Sequence, residues 1–360
     1  MDDDHGCGWN TGQECWDASG NITMWIEKRG GDAMNDQAKP WFVLGAGFNV
    51  SAASEAWASQ NNSQPGLAYP LVSDLWEICF PGKPRQLDRS IEEAFAEALR
   101  SANQQPVLDL CQHLFRCDYY IAGALRDGQN CYRDFLQRFH GSDFLTYNYD
   151  SLVEILLVRL GAWSPVDGYG ITVQVGRDPV AIPPPVGRSL SKVFHLHGSL
   201  VLHTETATYT RSERGAIAWR NELTTPRVDF DPSSLGGLFW PYSATRRTAR
   251  ERRPERVAPP VPDKSEFLTG AFAEMTLPVA CDAVAGAKTL VAIGYSFSEH
   301  DQASYRPILE RFSRGGGRRL VIVSPDATQV AGCLQKTIGI NVEPIPLGLA
   351  AWVSARYPGI

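Results

Sequence analysis

No Cys-x-x-Cys pair occurs anywhere in this sequence. The eight cysteines (7, 15, 79, 111, 117, 131, 281 and 333) are scattered, and none falls between Tyr132 and Val279. Zinc modules and disulfide frameworks need clustered or regularly spaced cysteines, so neither organises this chain. The thiols read instead as small buried hydrophobes in a reducing compartment. Long apolar runs are missing too. The best candidate, Leu152 to Trp163, is interrupted by Glu154 and Arg159 and falls short of the ~18 residues of a membrane span. The opening MDDDHGCGWN has neither the basic nor the apolar segment of a secretory signal, so the expectation is a soluble, cytoplasmic chain with no membrane partner. Excess positive charge is absent as well: 34 Lys and Arg stand against 40 Asp and Glu, a net charge of −6. Charge-driven coating of nucleic acid is thereby disfavoured. No internal repeat is evident at a spacing of ~20–50 residues.

What is present is enough apolar material for a full core, 43% of 360 residues with 21% charged. That length suits about two domains or one enlarged α/β domain. Residues 1–39 are acidic, rich in Gly, Asn and Asp, and read as a loosely ordered arm with one short strand around Ile22–Ile26. The main domain runs from 40 to 360. Trp41-Phe-Val-Leu-Gly45 is an apolar run ending in glycine, the pattern of a buried strand entering a tight turn. A helical block follows over about 70–140, with helices expected over 88–100, from Pro106 to about Cys117, and over 132–139. Phe144–Tyr147 is strand-like, 151–160 helical by apolar spacing, and Lys192–His197 strand-like before Gly198. Residues 205–265, rich in Arg, Glu, Pro and Thr, read as a long surface-loop insertion without a core element. Two further short strands, Lys288–Gly294 and Arg318–Ser324, each lead into a helix, at about 301–313 and 326–337. Strand, glycine turn and helix, repeated at separated places, imply a doubly wound parallel sheet.

Four places carry chemistry. Gly45-Ala46-Gly47-Phe48-Asn49 follows a strand, where glycines permit a sharp turn and let backbone N–H groups approach a phosphate. A third glycine and a later acidic residue are missing, so a ligand-free tight turn stays equally open. Asn148-Tyr149-Asp150 places an amide and a carboxylate after a strand, or caps the next helix. His195 and His197, at i and i+2 on a strand, point to the same face and could start a metal pair, but no third ligand is near. His197, at the strand end before Gly198, suits a general base, and His195 suits packing or orientation. Gly294-Tyr295-Ser296, with Asp301 beyond, and Ser324 with Asp326 are further βα turns able to receive phosphate or ribose hydroxyls, or to cap helices.

Taken in order, the GAGF-Asn turn, the Asn-Tyr-Asp turn, Leu-His-Gly and Gly-Tyr-Ser with Asp301 resemble the sirtuin-like NAD-binding superfamily. They are most similar to its divergent bacterial branch of NAD hydrolases in anti-phage defence. The resemblance spans about Trp41 to Asp326 and implies a Rossmann-like α/β fold. It implies that Gly45, Ala46, Gly47, Phe48 and Asn49 form the phosphate-side turn, with Asn49 replacing the family's usual serine. Gly294, Tyr295, Ser296 and Asp301 match the second nucleotide turn, and Ser324 and Asp326 the adenosine end. Asn148, Asp150 and His197 are implied to be catalytic: Asn148 and Asp150 face the nicotinamide ribose, and His197 is the base.

The family's deacylases carry a four-cysteine zinc module between the histidine and the Gly-Tyr-Ser turn; here that interval holds only Cys281. The Gly-Ile-Pro-Asp-Phe-Arg loop of the nicotinamide pocket is replaced by Asn49-Val-Ser-Ala-Ala-Ser-Glu55. The implied activity is therefore NAD glycohydrolysis with NAD as substrate and without zinc. A deacylase or ADP-ribosyltransferase, and a non-catalytic subunit sensing NAD or ADP-ribose, are the alternatives. The Arg246–Arg256 stretch, with six arginines, reads as a solvated loop or as a contact surface. Expected partners are other copies of the chain and a separate sensor or activator, such as a motor ATPase or a nucleic-acid-guided protein.

Overall fold

A sheet covered by helices on both faces needs strands that are apolar along their length. In the computed structural model, six runs of this chain meet that demand or sit at its edge. The structure describes residues 15–16, 22–23, 39–59, 69–71, 73–83, 89–125, 130–165, 167–171, 173–175, 190–211, 217–230, 257–264, 271–338 and 340–360. Within the acidic arm, β1 (Cys15–Trp16) pairs antiparallel with β2 (Ile22–Thr23), close to the strand expected there. The main sheet is built from β3 (Trp41–Leu44), β4 (Phe144–Thr146), β6 (Val193–His195), β9 (Thr289–Ile293), β10 (Arg319–Val323) and β11 (Val342–Ile345). Its order is β11-β10-β9-β3-β4-β6, with every neighbouring pair parallel. The first three of these strands step outward from the centre in one direction and the next three in the other. The chain thus reverses between β3 and β9, the switch point where ligands of open α/β sheets bind.

Alternation along the strands divides the core into two layers. Phe42, Leu44, Phe144, Val193, Val291 and Ile293 face one side. That side is packed by α1 (Ala46–Ser59), α2 (Leu75–Cys79), α3 (Ile91–Arg100), α4 (Gln105–Ala124), α5 (Cys131–Phe139) and α6 (Leu152–Arg159). Val43, Leu145, Phe194, Leu290, Ala292 and Ile322 face the other, against α7 (Ala271–Val284), α8 (Gln302–Ser313) and α9 (Ala327–Ile338). The last helix, α10 (Leu349–Ser354), returns to the first layer, where Trp352 meets Phe135 with ring centroids 6.2 Å apart.

Local signals explain most boundaries. Ser90 and Glu93 form a reciprocal capping box that starts α3. Helix α4 runs past Cys117, where the sequence reading stopped, because Ile121 continues its buried stripe. Strand β11, broken by Glu343 and Pro344, was not expected; proline is tolerated there because the strand is an edge.

The expectation for 205–265 is corrected. β7 (Leu202–Arg211) and β8 (Ile217–Phe230) form a long antiparallel pair, and β5 (Val173–Val175) adds in parallel to β8. Thr204, Thr206, Thr208 and Thr210 alternate along β7, a β-branched strand pattern that a search for apolar runs passes over. Farther on, Val257 and Val261 are buried in the first core layer. The Arg246–Arg256 stretch lies outside the described residues. Among the described residues, no helix is long and apolar enough to cross a membrane.

Candidate active site

Strand register sets the site. His195 pairs with Thr146, Thr146 with Leu44, Leu44 with Ile293, and Ile293 with Val323. These five residues form one transverse row at the carboxyl end of the sheet. Gly45, Gly294 and Ser324 are the next residues along their strands, and Asn148 and His197 follow two residues on. The turns singled out in the sequence are thus levelled at one rim, on either side of the switch point.

At the centre, the two glycine turns press on each other. Gly45 N–H donates to Ile293 O at 3.1 Å, Gly47 N–H to Gly294 O at 3.0 Å and Phe48 N–H to Gly45 O at 3.0 Å. A Cβ on Gly45 would lie 2.5 Å from Gly294 O. Gly294 has φ +60°, and a Cβ there would lie 2.3 Å from Phe48 N. The glycines are required for backbone contact between the turns. Of the amides in 45–48, Ala46 N–H at the start of α1 is the one left for a ligand among the described residues.

Phe48 and Asn49 do not line the rim. Phe48 is fully buried against Tyr132, centroids 4.3 Å apart. Asn49, equally buried, donates to Asp150 Oδ2 at 2.5 Å and accepts the Tyr132 hydroxyl. Asp150 also accepts from the Tyr69 hydroxyl and, through Oδ1, from Leu152 N–H at 3.2 Å. Asn49 therefore braces the Asn-Tyr-Asp turn from α1, and Asp150 anchors that turn from within. Burial raises the Asp150 carboxyl above its ordinary range, against the lowering influence of the Tyr69 bond.

Asn148 donates through Nδ2 to Gly45 O at 3.1 Å. This joins the β4 turn to the β3 turn, fixes the plane of the carboxamide and leaves its Oδ1 as an acceptor. Behind it, His195 is fully buried between Asn148 O, 3.2 Å from Nδ1, and Glu154 Oε1, 2.5 Å from Nε2. Burial pulls the His195 imidazole down, but the Glu154 carboxylate outweighs it and the net shift is upward. His195 thus ties the Asn148 carbonyl to Glu154 in the inner layer. Asp118 completes this inner layer, accepting from Ser151 N–H at 2.8 Å and Ser151 Oγ at 3.0 Å. Burial and the neighbouring Asp150 push the Asp118 carboxyl well above the carboxylate range.

His197 is 3% exposed. Its Nε2 lies 3.2 Å from Ser304 Oγ and 3.6 Å from Asp301 Oδ1. Ser304 Oγ gives its own proton to Asp301 O at 2.8 Å, so Nε2 must be the donor, and Nδ1 is left as the basic nitrogen. Burial pushes the imidazole down to about 3; Lys264 acts in the same direction and Asp301 against it. Asp301 accepts from Lys264 Nζ at 2.5 Å and from the Tyr295 hydroxyl at 3.1 Å. Burial works against its carboxylate, yet neighbouring positive charge holds it below the usual range. His197 and then Lys264 act in that direction, with the hydrogen bonds from Lys264 and Tyr295. Tyr295 stacks on Tyr147 at 4.0 Å and 12°, and Tyr147 meets the His197 ring edge-on at 4.8 Å.

Ser296 is exposed at the rim, whereas Ser324 is buried and donates to Asp326, whose residue is exposed. The structure therefore brings Gly45, Gly47, Asn148, His197, Gly294, Tyr295 and Asp301 together, with Ser324 and Asp326 on the adjoining β10 turn. Sequence reasoning missed Lys264, Ser304, Glu154, Asp118 and Tyr69. Glu154 had a signal, being the acid within the apolar stretch Leu152–Val158, since a buried charge requires a partner. Lys264 had none. Among the described residues, no group of three His, Cys, Asp or Glu side chains is placed to hold a metal ion.

No protein-family model and no curated protein matches this chain. Among solved structures, the chain is similar to a Sir2 homologue mutant in complex with ADP ribose, at 14% identity over 89% of this chain and 91% of that one, with a TM-score of 0.35.

Proposed function

We propose that this rim binds NAD and hydrolyses it to nicotinamide and ADP-ribose. The supporting observation is the convergence, at the switch point of a doubly wound sheet, of two glycine turns, a fixed carboxamide and a neutral histidine. In this reading, the bond from the ribose C1′ to the nicotinamide nitrogen breaks with its electron pair leaving on nicotinamide. Water adds its oxygen to C1′ and releases a proton. Asn148 Oδ1, held in place by the bond to Gly45 O, aligns the water or a ribose hydroxyl. His197 Nδ1 accepts the proton, being unprotonated throughout the neutral range. Ala46 N–H, at the N-terminus of α1, is the donor for the pyrophosphate. Asp150 acts through the turn it anchors. Ser296, Ser324 and Asp326 are the polar groups available to the nucleoside end. Water, not an acyl oxygen, is taken as nucleophile because the interval from Gly198 to Ile293 has a single cysteine and no zinc module.

The same reading extends to the cellular role: an NAD-depleting cytoplasmic effector of anti-phage defence, working as a homo-oligomer under a separate activator. Nicotinamide release by the purified chain tests the chemistry. His197→Ala and Asn148→Ala should each lower it by about two to four orders of magnitude with the native fold retained. Unchanged turnover in both variants would refute the assignment. Acyl-peptide in the same assay separates hydrolysis from deacylation, and NAD binding without turnover would make the chain a sensing subunit.

A further inference from the structure

Lys264 arrives at the site on a strap that nothing in the motif pattern anticipates. The segment 257–264 lies across the carboxyl end of β6. Val257 bridges to Gly198, Ala258 N–H donates to His197 O at 2.8 Å, and Ala258 O accepts from the Tyr149 hydroxyl at 2.5 Å. Pro262 O lies 3.1 Å from His300 Nδ1, tying the far end to the turn that carries Asp301. The strap thus covers His197 and delivers a buried ammonium to the carboxylate beside it.

The geometry around Asp301 is asymmetric. Oδ1 is shared, 2.5 Å from Lys264 Nζ and 3.6 Å from His197 Nε2, while Oδ2 takes the Tyr295 hydroxyl. A carboxylate this close to an imidazole would ordinarily convert it to imidazolium, which has no basic nitrogen. Here the closer cation already neutralises the carboxylate. The remaining groups facing the ring are Tyr147 and Tyr149, with centroids 4.8 and 6.4 Å away, and the Ser304 hydroxyl. Both phenols are pushed upward by burial and stay uncharged. Burial holds the imidazole low, and Lys264 and Asp301 are the charges that act on it, in opposite directions.

We propose that Lys264 is a positioning residue: by occupying Asp301 Oδ1 it holds that carboxylate beside His197 without letting it protonate the ring. The inference rests on the preceding proposal for the role of His197, but its physical content does not depend on the substrate. The loss of charge in Lys264→Met leaves a buried carboxylate facing the ring, so His197 should bind a proton more tightly. Lys264→Arg should restore the wild-type state, and the double variant Lys264→Met with Asp301→Asn should leave His197 neutral because both charges are gone.

The experiment is an NMR titration of ring-labelled histidine in the full chain, with the His197 signal assigned by its loss in His197→Gln. In the wild type, the double variant and Lys264→Arg, the signal should stay that of neutral imidazole across the range from pH 8 to about 5. In Lys264→Met, its midpoint should rise by about two to three pH units above the wild-type value, into the range titrated, and the acid limb of NAD turnover should rise with it. Should Lys264→Met not fold, Lys264→Gln keeps a donor to Asp301 without the charge and is expected to behave the same way. A His197 titration superposable on the wild type in a folded Lys264→Met or Lys264→Gln would overturn the proposal. If no protein turns over NAD, the hydrolase reading fails, while the imidazole titration still decides the role of Lys264.

Discussion

Acidification is the perturbation that most directly tests the state of His197. In the folded protein, burial and Lys264 hold its imidazole at about 3, against an ordinary value of 6.5. Between those limits the unfolded chain carries a proton that the native one lacks. Stability from this group is therefore complete above pH 6.5 and falls as pH drops toward 3. The slope is about 1.4 kcal/mol per pH unit, which gives a loss of about 2 kcal/mol by pH 5. Other groups move as well. Asp118, Asp150 and His195 are shifted upward, so they bind protons more tightly when folded and their contributions diminish as pH rises. A His197→Gln variant keeps these groups and the side chain's polarity, so they cancel in the difference. Restricting the comparison to pH 7.5–5 keeps it above the ordinary carboxylate range, and Asp301 stays ionised in both proteins. Urea unfolding at several pH values supplies the free energies. The wild type should lose about 2 kcal/mol more than His197→Gln over this range. Profiles parallel within about 0.5 kcal/mol would refute the idea of a buried neutral histidine.

The packed glycines and the inner ion pair yield two further expectations. Gly294→Ala, with φ +60° and a Cβ 2.3 Å from Phe48 N, should destabilise by more than the roughly 1–2 kcal/mol of a left-handed backbone alone. Gly332→Ala, in the open on α9 with nothing within 4 Å, should stabilise by about 0.5–1 kcal/mol; equal melting shifts in the two variants would contradict the switch-point packing. Glu154→Leu strands His195 and should cost about 3–5 kcal/mol by chemical denaturation. Adding His195→Phe should recover most of that stability but not NAD turnover, because the Asn148 carbonyl is no longer held.

Much of the sheet was legible because its chemistry is local. Runs such as Trp41–Leu44 and Leu290–Ile293 are apolar throughout, and a glycine follows each; a buried parallel strand entering a tight turn requires that pattern. β7 was not legible by the same rule, since its regularity lies in alternating threonines. β11 was hidden by Glu343 and Pro344, which only an edge position permits. Within the candidate site, His197 and Asn148 could be singled out from their place after strands. The side to which Asn49 turns was not legible, because its distance from the glycine turn is the same whether it faces a ligand or the core. What turns it inward is its pairing with Tyr132 and Asp150, 83 and 101 residues away.

By itself, then, the sequence determined the class of fold and which turns would lie at a carboxyl edge, because strand apolarity and glycine turns act between near neighbours. Tertiary structure alone decided which of those residues touch. Strand order placed Gly45 against Gly294, register levelled Asn148 and His197 with them, and the strap from a distant segment brought Lys264 to Asp301. The physical reason is that the protonation state of a buried group depends on the charges within a few ångströms of it. Those charges come from chain segments whose meeting no local pattern records.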